Sequence, residues 1–283
     1  MSFMARIEEC NRWTPGDFTA FVVGGEPVGM VRREFAEALM RAAPGFALDA
    51  RGLHWIEAPD GFDSRTEAMR RICSDLVACG LISHRHGEQY PVSPGRREDA
   101  RFLIDRACAP YFGVRAFGQH LNGFVRRSDG LHMWIGRRSA DRKVYPNRLD
   151  NLVAGGLPWG LSLQENLSKE CAEEAGMTAT LAEQAVAVGA VTYCRASERG
   201  LKPDVMYCYD LELPPSFEPR CHDGEVAGFY LWPVEQVAEI VRDSEEFKLN
   251  CNLVIIDFLV RHGLLTPEHP DYLEIVQRLR SLE

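Results

Sequence analysis

The chain has 283 residues, 46% of them hydrophobic and 26% charged, with a formal net charge of −9. That length is comfortable for two domains, and the composition is that of an ordinary globular protein. The acidic balance argues against a nucleic-acid coat or an anionic membrane as partner, while leaving room for a few cations around a phosphorylated small molecule.

The first residues, MSFMARIEECNRW, contain acids and no apolar core, so they are not read as a signal peptide. No uninterrupted apolar stretch approaches the roughly 18 residues that span a bilayer. Nine cysteines are present, with no C-x-x-C pair and no zinc-like Cys/His spacing. They are expected to be reduced thiols of a cytoplasmic protein.

In chain order, residues 4–13 read as a short helix. FTAFVVGGEPVGMV (18–31) reads as two strands joined at Gly24-Gly25, a hairpin signal. RREFAEALMRAA is an amphipathic helix stopped by Pro44-Gly45. SRTEAMRRICSDLVACG (64–80) is a second helix, with Ser64 and Glu67 as a capping box and Gly80 as its stop. EQYPVSPGRRED is a turn-rich connection. Residues 1–114 are thus expected to form a small α/β domain with its own core.

From Arg115 the pattern changes to strand-rich. FGQHLNGFVRRSDGLHMWIGRRS predicts two strands around Ser128-Asp129-Gly130, and DNLVAGG predicts another. AVAVGAVTYCRAS, DVMYCYDLELP and GEVAGFYLWP add three more, and VEQVAEIVRD and NLVIIDFLVRHG read as helices. Residues 115–283 therefore predict an α+β domain, a mixed sheet with helices packed on it as an α/β/α sandwich.

Between these strands lies GGLPWGLSLQENLSKECAEEAGM, residues 155–177. Ser162 and Glu165 form an S-x-x-E capping box that starts a helix. At about 100° per residue, Glu170, Glu173 and Glu174 share one face with Asn166, while Leu163, Leu167 and Cys171 form an apolar stripe. A solvated acidic face is the plain reading. Against it, the acids oppose the helix dipole near its C-terminal end and repel one another at i, i+3 and i, i+4. A divalent cation would relieve both penalties, and carboxylates suit Mg²⁺ or Mn²⁺ in phosphoryl chemistry.

This stretch resembles the Nudix box, G-x5-E-x7-R-E-U-x-E-E-x-G-U with U apolar. Gly155, Glu170, Cys171, Glu173, Glu174, Gly176 and Met177 match it in register. Leu161 stands where the family has a glutamate, and Lys169 where it has an arginine that orients a catalytic glutamate. Lysine keeps the charge and loses the planar fork. The resemblance implies that Glu170, Glu173 and Glu174 hold the metal and that Gly155 and Gly156 form the loop approached by the diphosphate. It implies a further glutamate from outside the box as ligand or base, for which Glu225 is the candidate, with an exposed turn acid as the alternative.

The likeness runs over essentially the whole chain and is similar to one Nudix subgroup with an N-terminal extension. That subgroup includes plant plastid Nudix proteins and the Nudix half of fungal thiamine pyrophosphokinase fusions. What it implies is a Mg²⁺-dependent pyrophosphohydrolase that takes thiamine diphosphate, or its damaged oxo- and oxy- forms, to the monophosphate. A nucleotide sugar or ADP-ribose is the alternative substrate. A non-catalytic ligand sensor, marked by Leu161 and Lys169, is the alternative function.

Arginines and lysines crowd the segment before the box. Solvated hairpin ends are the simpler account, and clamping of a diphosphate the functional one, with Arg137 and Lys143 as candidates. Asp150 and Asn151 are placed to order the substrate loop. Trp159, in the glycine loop, is a candidate to stack on a heteroaromatic ring. His84, Arg85 and His86 read as a surface loop or as a contribution to the substrate cleft. The first hundred residues are left with two roles, a wall of that cleft or the interface of a homodimer. No Walker A and no G-x-S-x-G motif is present.

Overall fold

The computed structural model describes residues 2–281. The first part is built as predicted from small α/β units. Strands β1 (Phe18–Val23) and β2 (Glu26–Arg32) form the hairpin across Gly24-Gly25, and helix α2 (Arg33–Ala42) follows directly. Two short strands that the sequence reading did not single out, β3 (Phe46–Asp49) and β4 (Gly52–Trp55), complete a four-stranded sheet in the order β2-β1-β4-β3. Helix α3 (Phe62–Ala78) and a separate ribbon of β5 (Gln89–Val92) and β6 (Phe102–Asp105) close the core on Phe21, Leu39, Leu53, Met69, Phe102 and Phe112.

Helix α3 corrects one expectation. It starts at Phe62, with Gly61 as N-cap and no side-chain cap, so Ser64 and Glu67 lie inside the first turns and form no capping box. Glu67 is instead drawn to Arg70 and Arg71, one helical turn on, at 2.7 and 2.9 Å.

The second part is organised by one long strand. Strand β7 (Phe117–Arg127) pairs with β8 (Gly130–Arg138) through its second half only. Its first half pairs with β10 (Val153–Gly156), while β9 (Leu149–Asn151) pairs with β8. The predicted strand DNLVAGG is therefore two strands that change partner at Leu152. Strands β11 (Val186–Ser197), β12 (Gly200–Glu212) and β13 (Val226–Pro233) give the order β11-β12-β7-β8-β13. The β12–β7 pair is parallel and the rest antiparallel, so the sheet is mixed, as expected.

Helices cover both faces. Helix α4 (Leu163–Ala175) and the single turn α5 (Ala179–Ala182) lie on one side, where Leu167 and Cys171 of α4 pack with Leu121 and Val153 of the sheet. Helices α6 (Val234–Asp243), α7 (Leu249–Arg261) and α8 (Tyr272–Arg278) lie on the other. Every residue of α7 from Cys251 to Leu259 is buried, as befits a helix apolar nearly all round.

The first helix, α1 (Phe3–Cys10), sits apart from the domain it precedes. Phe3, Met4, Ile7 and Cys10 are buried in the core of α6, α7 and α8, and Arg6 Nε donates to the Val241 carbonyl at 2.9 Å. Among the described residues no helix is long and apolar enough to cross a membrane.

Candidate active site

Helix α4 starts as its sequence specifies. Ser162 Oγ accepts from the Glu165 amide at 3.2 Å, and Glu165 Oε2 accepts from the Ser162 amide at 2.8 Å. The helix ends at Gly176, whose left-handed conformation turns the chain back toward the sheet. Leu167 and Cys171 are buried against the sheet as expected, whereas Leu163, the first residue of the helix, is 38% exposed.

The three glutamates occupy different environments. Glu174 is only 5% exposed, and its Oε2 accepts from the Ala154 amide of β10 at 2.8 Å. Burial pushes its carboxyl up to about 8, with Asp150 and Glu170 adding to the rise and the Ala154 amide opposing it. Glu170 is raised by burial too, partly offset by Lys169. Glu173 is half-buried, and its backbone carbonyl accepts from the His222 amide. Lys169 Nζ lies 3.3 Å from Glu170 and 2.9 Å from Glu173. Those carboxylates outweigh its partial burial and push the ammonium up to about 12. Lys169 therefore orients two carboxylates at once, without the fork of an arginine.

The glycine pair is held between two walls. A Cβ on Gly155 would lie 2.3 Å from Glu170 Cδ, so the strand approaches the helix more closely than any side chain permits. The Gly156 carbonyl accepts from Asn166 Nδ2 at 3.0 Å, and the same amide group donates to Gln119 Oε1 at 2.8 Å. Asn166 is fully buried, so this part of the acidic face is structural.

The N-terminal domain grips the loop that follows. The Trp159 amide donates to the Gln89 carbonyl at 2.7 Å, and the Trp159 ring packs 5.7 Å from Phe62 and 5.5 Å from the Arg97 guanidinium. Arg97 Nη2 donates to the carbonyls of Pro158 and Leu161 at 2.7 and 2.9 Å. Position 161, where the box departs from the family, is thus fastened through its backbone by the other domain. Local pattern carries no signal for Arg97, Gln89 or Phe62, since they lie some 60 to 100 residues upstream of the loop they hold.

Other predicted residues are placed elsewhere. Glu225 pairs with Arg142, and its backbone bonds run to Ser139 and Asp223, with none to α4. Arg137 donates to the Asn147 carbonyl and the Tyr230 hydroxyl and lies 3.5 Å from Glu246, so its fork is spent on the fold. Lys143 is exposed, and its charge, with that of Arg199, acts on His84 of the N-terminal domain.

Asp150 orders a buried polar knot beneath the loop. It takes Arg138 at 2.8 Å, Lys248 at 3.2 Å and the Cys251 thiol at 2.7 Å, while Asn151 bridges His120 and Asn122. Burial would raise the Asp150 carboxyl, but Lys248 and Arg138 outweigh it and hold it at about 2. His120, Asp150 and Cys251 lie close enough to suggest a metal group. Two cations already neutralise the carboxylate, and burial keeps the thiol protonated, so these three are better satisfied as a structural knot.

By donor chemistry the α4 carboxylates suit a hard divalent cation better, while among the described residues only the His120 knot brings three ligand atoms within 4.8 Å of one another. Glu170 and Glu174 are two largely buried carboxylates on the same helix face, destabilised as anions, with hard oxygen atoms and a single lysine beside them.

Residues 120–251 match the family model described as the NUDIX domain, and residues 2–116 match a domain of unknown function, DUF4743. The chain is similar to Nudix hydrolase 20, chloroplastic, of Arabidopsis thaliana, at 42% identity over 99% of this chain and 78% of that protein. This chain belongs to the Nudix hydrolase family. Nudix hydrolase 24, chloroplastic, of the same plant is 43% identical over the same shares. An uncharacterized protein of Saccharomyces cerevisiae is 36% identical over 78% of this chain and 69% of its own length. The likeness to all three reaches beyond the Nudix domain, and in the plant relatives it takes in the whole N-terminal domain. As a Nudix hydrolase, the chain acts on diphosphate-linked small molecules.

Proposed function

We propose that this Nudix hydrolase is a Mg²⁺- or Mn²⁺-dependent pyrophosphohydrolase whose substrate is thiamine diphosphate or an oxo- or oxy- form of it, released as the monophosphate. The observation that carries the catalytic part is the Gly155–Glu170 contact, which brings the phosphate loop directly against the carboxylates of α4. The choice of thiamine over a nucleotide rests on the resemblance of the sequence, N-terminal extension included, to the subgroup that contains the thiamine pyrophosphokinase fusions.

Glu170, Glu173 and Glu174 would hold the cation. When bound, it supplies charge neutralisation at the phosphoryl oxygens and a more acidic water. The chain's own residues prepare for it. Lys169 keeps Glu170 and Glu173 in a fixed orientation. Burial pushes the Glu174 carboxyl up to about 8, and the Ala154 amide keeps it aimed at the place a cation would occupy. Asn166 pins the Gly156 carbonyl, so the loop meets the diphosphate without rearranging. The Lys169 pairing supports catalysis over ligand sensing, since the orienting role survives the loss of arginine.

The test is Mg²⁺-dependent hydrolysis of thiamine diphosphate, oxothiamine diphosphate, ADP-ribose and a nucleotide sugar, with Glu174→Gln alongside. Preferential turnover of the thiamine compounds, abolished in the variant, is expected. Turnover of nucleotides alone removes the substrate assignment and keeps the site. Binding without any turnover removes the enzyme reading of this chain.

A further inference from the structure

Strand β10 is covered on both sides at its glycines. Gly155 faces Glu170, and Gly156 faces the opposite way, as successive strand residues do. A Cβ on Gly156 would lie 2.1 Å from Tyr90 Oη, 3.0 Å from Arg106 Cζ and 3.2 Å from Arg106 Nη1. Both groups come from the N-terminal domain, Tyr90 from β5 and Arg106 from the residue after β6. The second wall of the phosphate loop therefore belongs to the other domain.

Arg106 is fixed on one edge and unspent on the other. Its amide donates to the Glu88 carbonyl at 2.9 Å, and Nη1 donates to Glu88 Oε2 at 2.6 Å. Its guanidinium lies 5.6 Å from the centre of the Tyr90 ring. Among the described residues, Arg106 Nε and Nη2 have no hydrogen-bond partner, and neither has the Tyr90 hydroxyl. Nε and Nη2 lie on the same edge of the fork, the edge that takes two oxygens of one phosphate. Arg106 and Glu170 also act on each other's charge across the glycine pair. The loop is thus flanked by carboxylates suited to a cation and, opposite, by a preorganised cation with free donors.

Building on the diphosphatase reading above, we propose that the N-terminal domain supplies one wall of the diphosphate site, with Arg106 taking phosphoryl oxygens through Nε and Nη2 and Tyr90 donating its hydroxyl beside them. This gives the extension a direct part in substrate recognition. Glu88 then serves as a positioning residue that holds the guanidinium beside the loop through Nη1 and leaves Nε and Nη2 for the ligand.

The test uses the full chain with Mg²⁺. Methylenediphosphonate, a diphosphate analogue that is not hydrolysed, is titrated by calorimetry, and steady-state kinetics are run on whichever diphosphate the parent turns over. Arg106→Ala is expected to weaken binding and raise KM by about tenfold to a hundredfold, with kcat changed much less. Ethylguanidinium added to that variant recovers part of the loss, which a purely structural role would not allow. Arg106→Lys keeps the charge without the fork and recovers only part of the affinity. Thermal melts accompany each variant, and if Arg106→Ala unfolds early, Arg106→Lys and Tyr90→Phe carry the comparison. Unchanged affinity and KM in the folded variants, with the parent active, overturn the proposal and leave the hydrolase reading standing. Diphosphonate binding that depends on Arg106 in a parent without turnover does the reverse. A parent that neither binds nor hydrolyses any diphosphate overturns both.

Discussion

Glu174, in the last turn of helix α4, is a buried carboxyl whose one hydrogen-bond donor among the described residues is the Ala154 amide, 2.8 Å away on the neighbouring strand. One amide does not compensate an ionised carboxylate taken out of water, so burial pushes this carboxyl up to about 8.

That proton links stability to pH. The folded value is raised above the usual 4.5, so the native state holds a proton that the unfolded chain releases in between. Stability from neutral Glu174 is full below about 4.5 and is lost as pH rises toward about 8. In chelator, Glu174→Gln is expected to be more stable than the parent at about pH 8.5, by on the order of 2–4 kcal/mol, and nearly equal to it at about pH 4.5. Urea unfolding across that range checks this. Parallel profiles for parent and variant would show that Glu174 ionises normally. Mg²⁺ affinity of the parent should rise over the same window, since binding expels the proton.

Gly155→Ala should act on chemistry more than on the fold. The new methyl must displace Glu170 or push β10 off α4, at a cost of about 1–3 kcal/mol. Activity is expected to fall by about a hundredfold or more, because a displacement near 1 Å at a reacting centre is that costly. Mn²⁺ binding, followed by electron paramagnetic resonance, should weaken in step. A variant with parental Mn²⁺ affinity and turnover would mean that Gly155 is not needed for its closeness to Glu170.

Lys169 orients two carboxylates from a side chain 41% exposed to solvent, so its removal should hardly move the melting temperature. Lys169→Ala is expected to lower kcat about tenfold, with Lys169→Arg close to the parent or above it. Equal kcat in all three would assign Lys169 to the surface alone.

Arg97→Ala removes the two bonds that anchor the carbonyls of Pro158 and Leu161. Hydrogen exchange should quicken in the loop 157–161 while the rest of α4 keeps its protection. Each lost charged bond is worth about 1.5–3 kcal/mol, enough to show as a local opening. Unchanged exchange there would mean that the backbone bonds of Leu157 and Trp159 hold the loop without Arg97.

The parts of the site readable in the sequence are those made by neighbours along the chain. Ser162 and Glu165 find each other three residues apart, and the acidic face follows from helical periodicity. The same S-x-x-E signal at Ser64 misled, because Glu67 had two arginines within reach one turn on and the helix had already begun at Phe62. DNLVAGG looked continuous since alternation reports burial and not partner, and its break at Leu152 depends on where β8 leaves β7. Arg97, Tyr90 and Arg106 were silent because their meaning depends on a loop from another domain. Arg137 looked like a free clamp until Asn147, Tyr230 and Glu246 claimed it.

Helix α1 lies 235 residues from the Val241 carbonyl that receives its Arg6. The domain between α1 and β7 is therefore tethered at both of its ends to the second core, like an insertion, and swings less freely than a domain on one linker. The arrangement also sets a clock on synthesis. At roughly 5–20 residues per second, α1 waits about 10–50 s after leaving the ribosome before its docking face exists. Phe3, Met4 and Ile7 spend that interval uncovered, which makes the apolar face of nascent α1 a point where a chaperone or an aggregation partner can meet this chain.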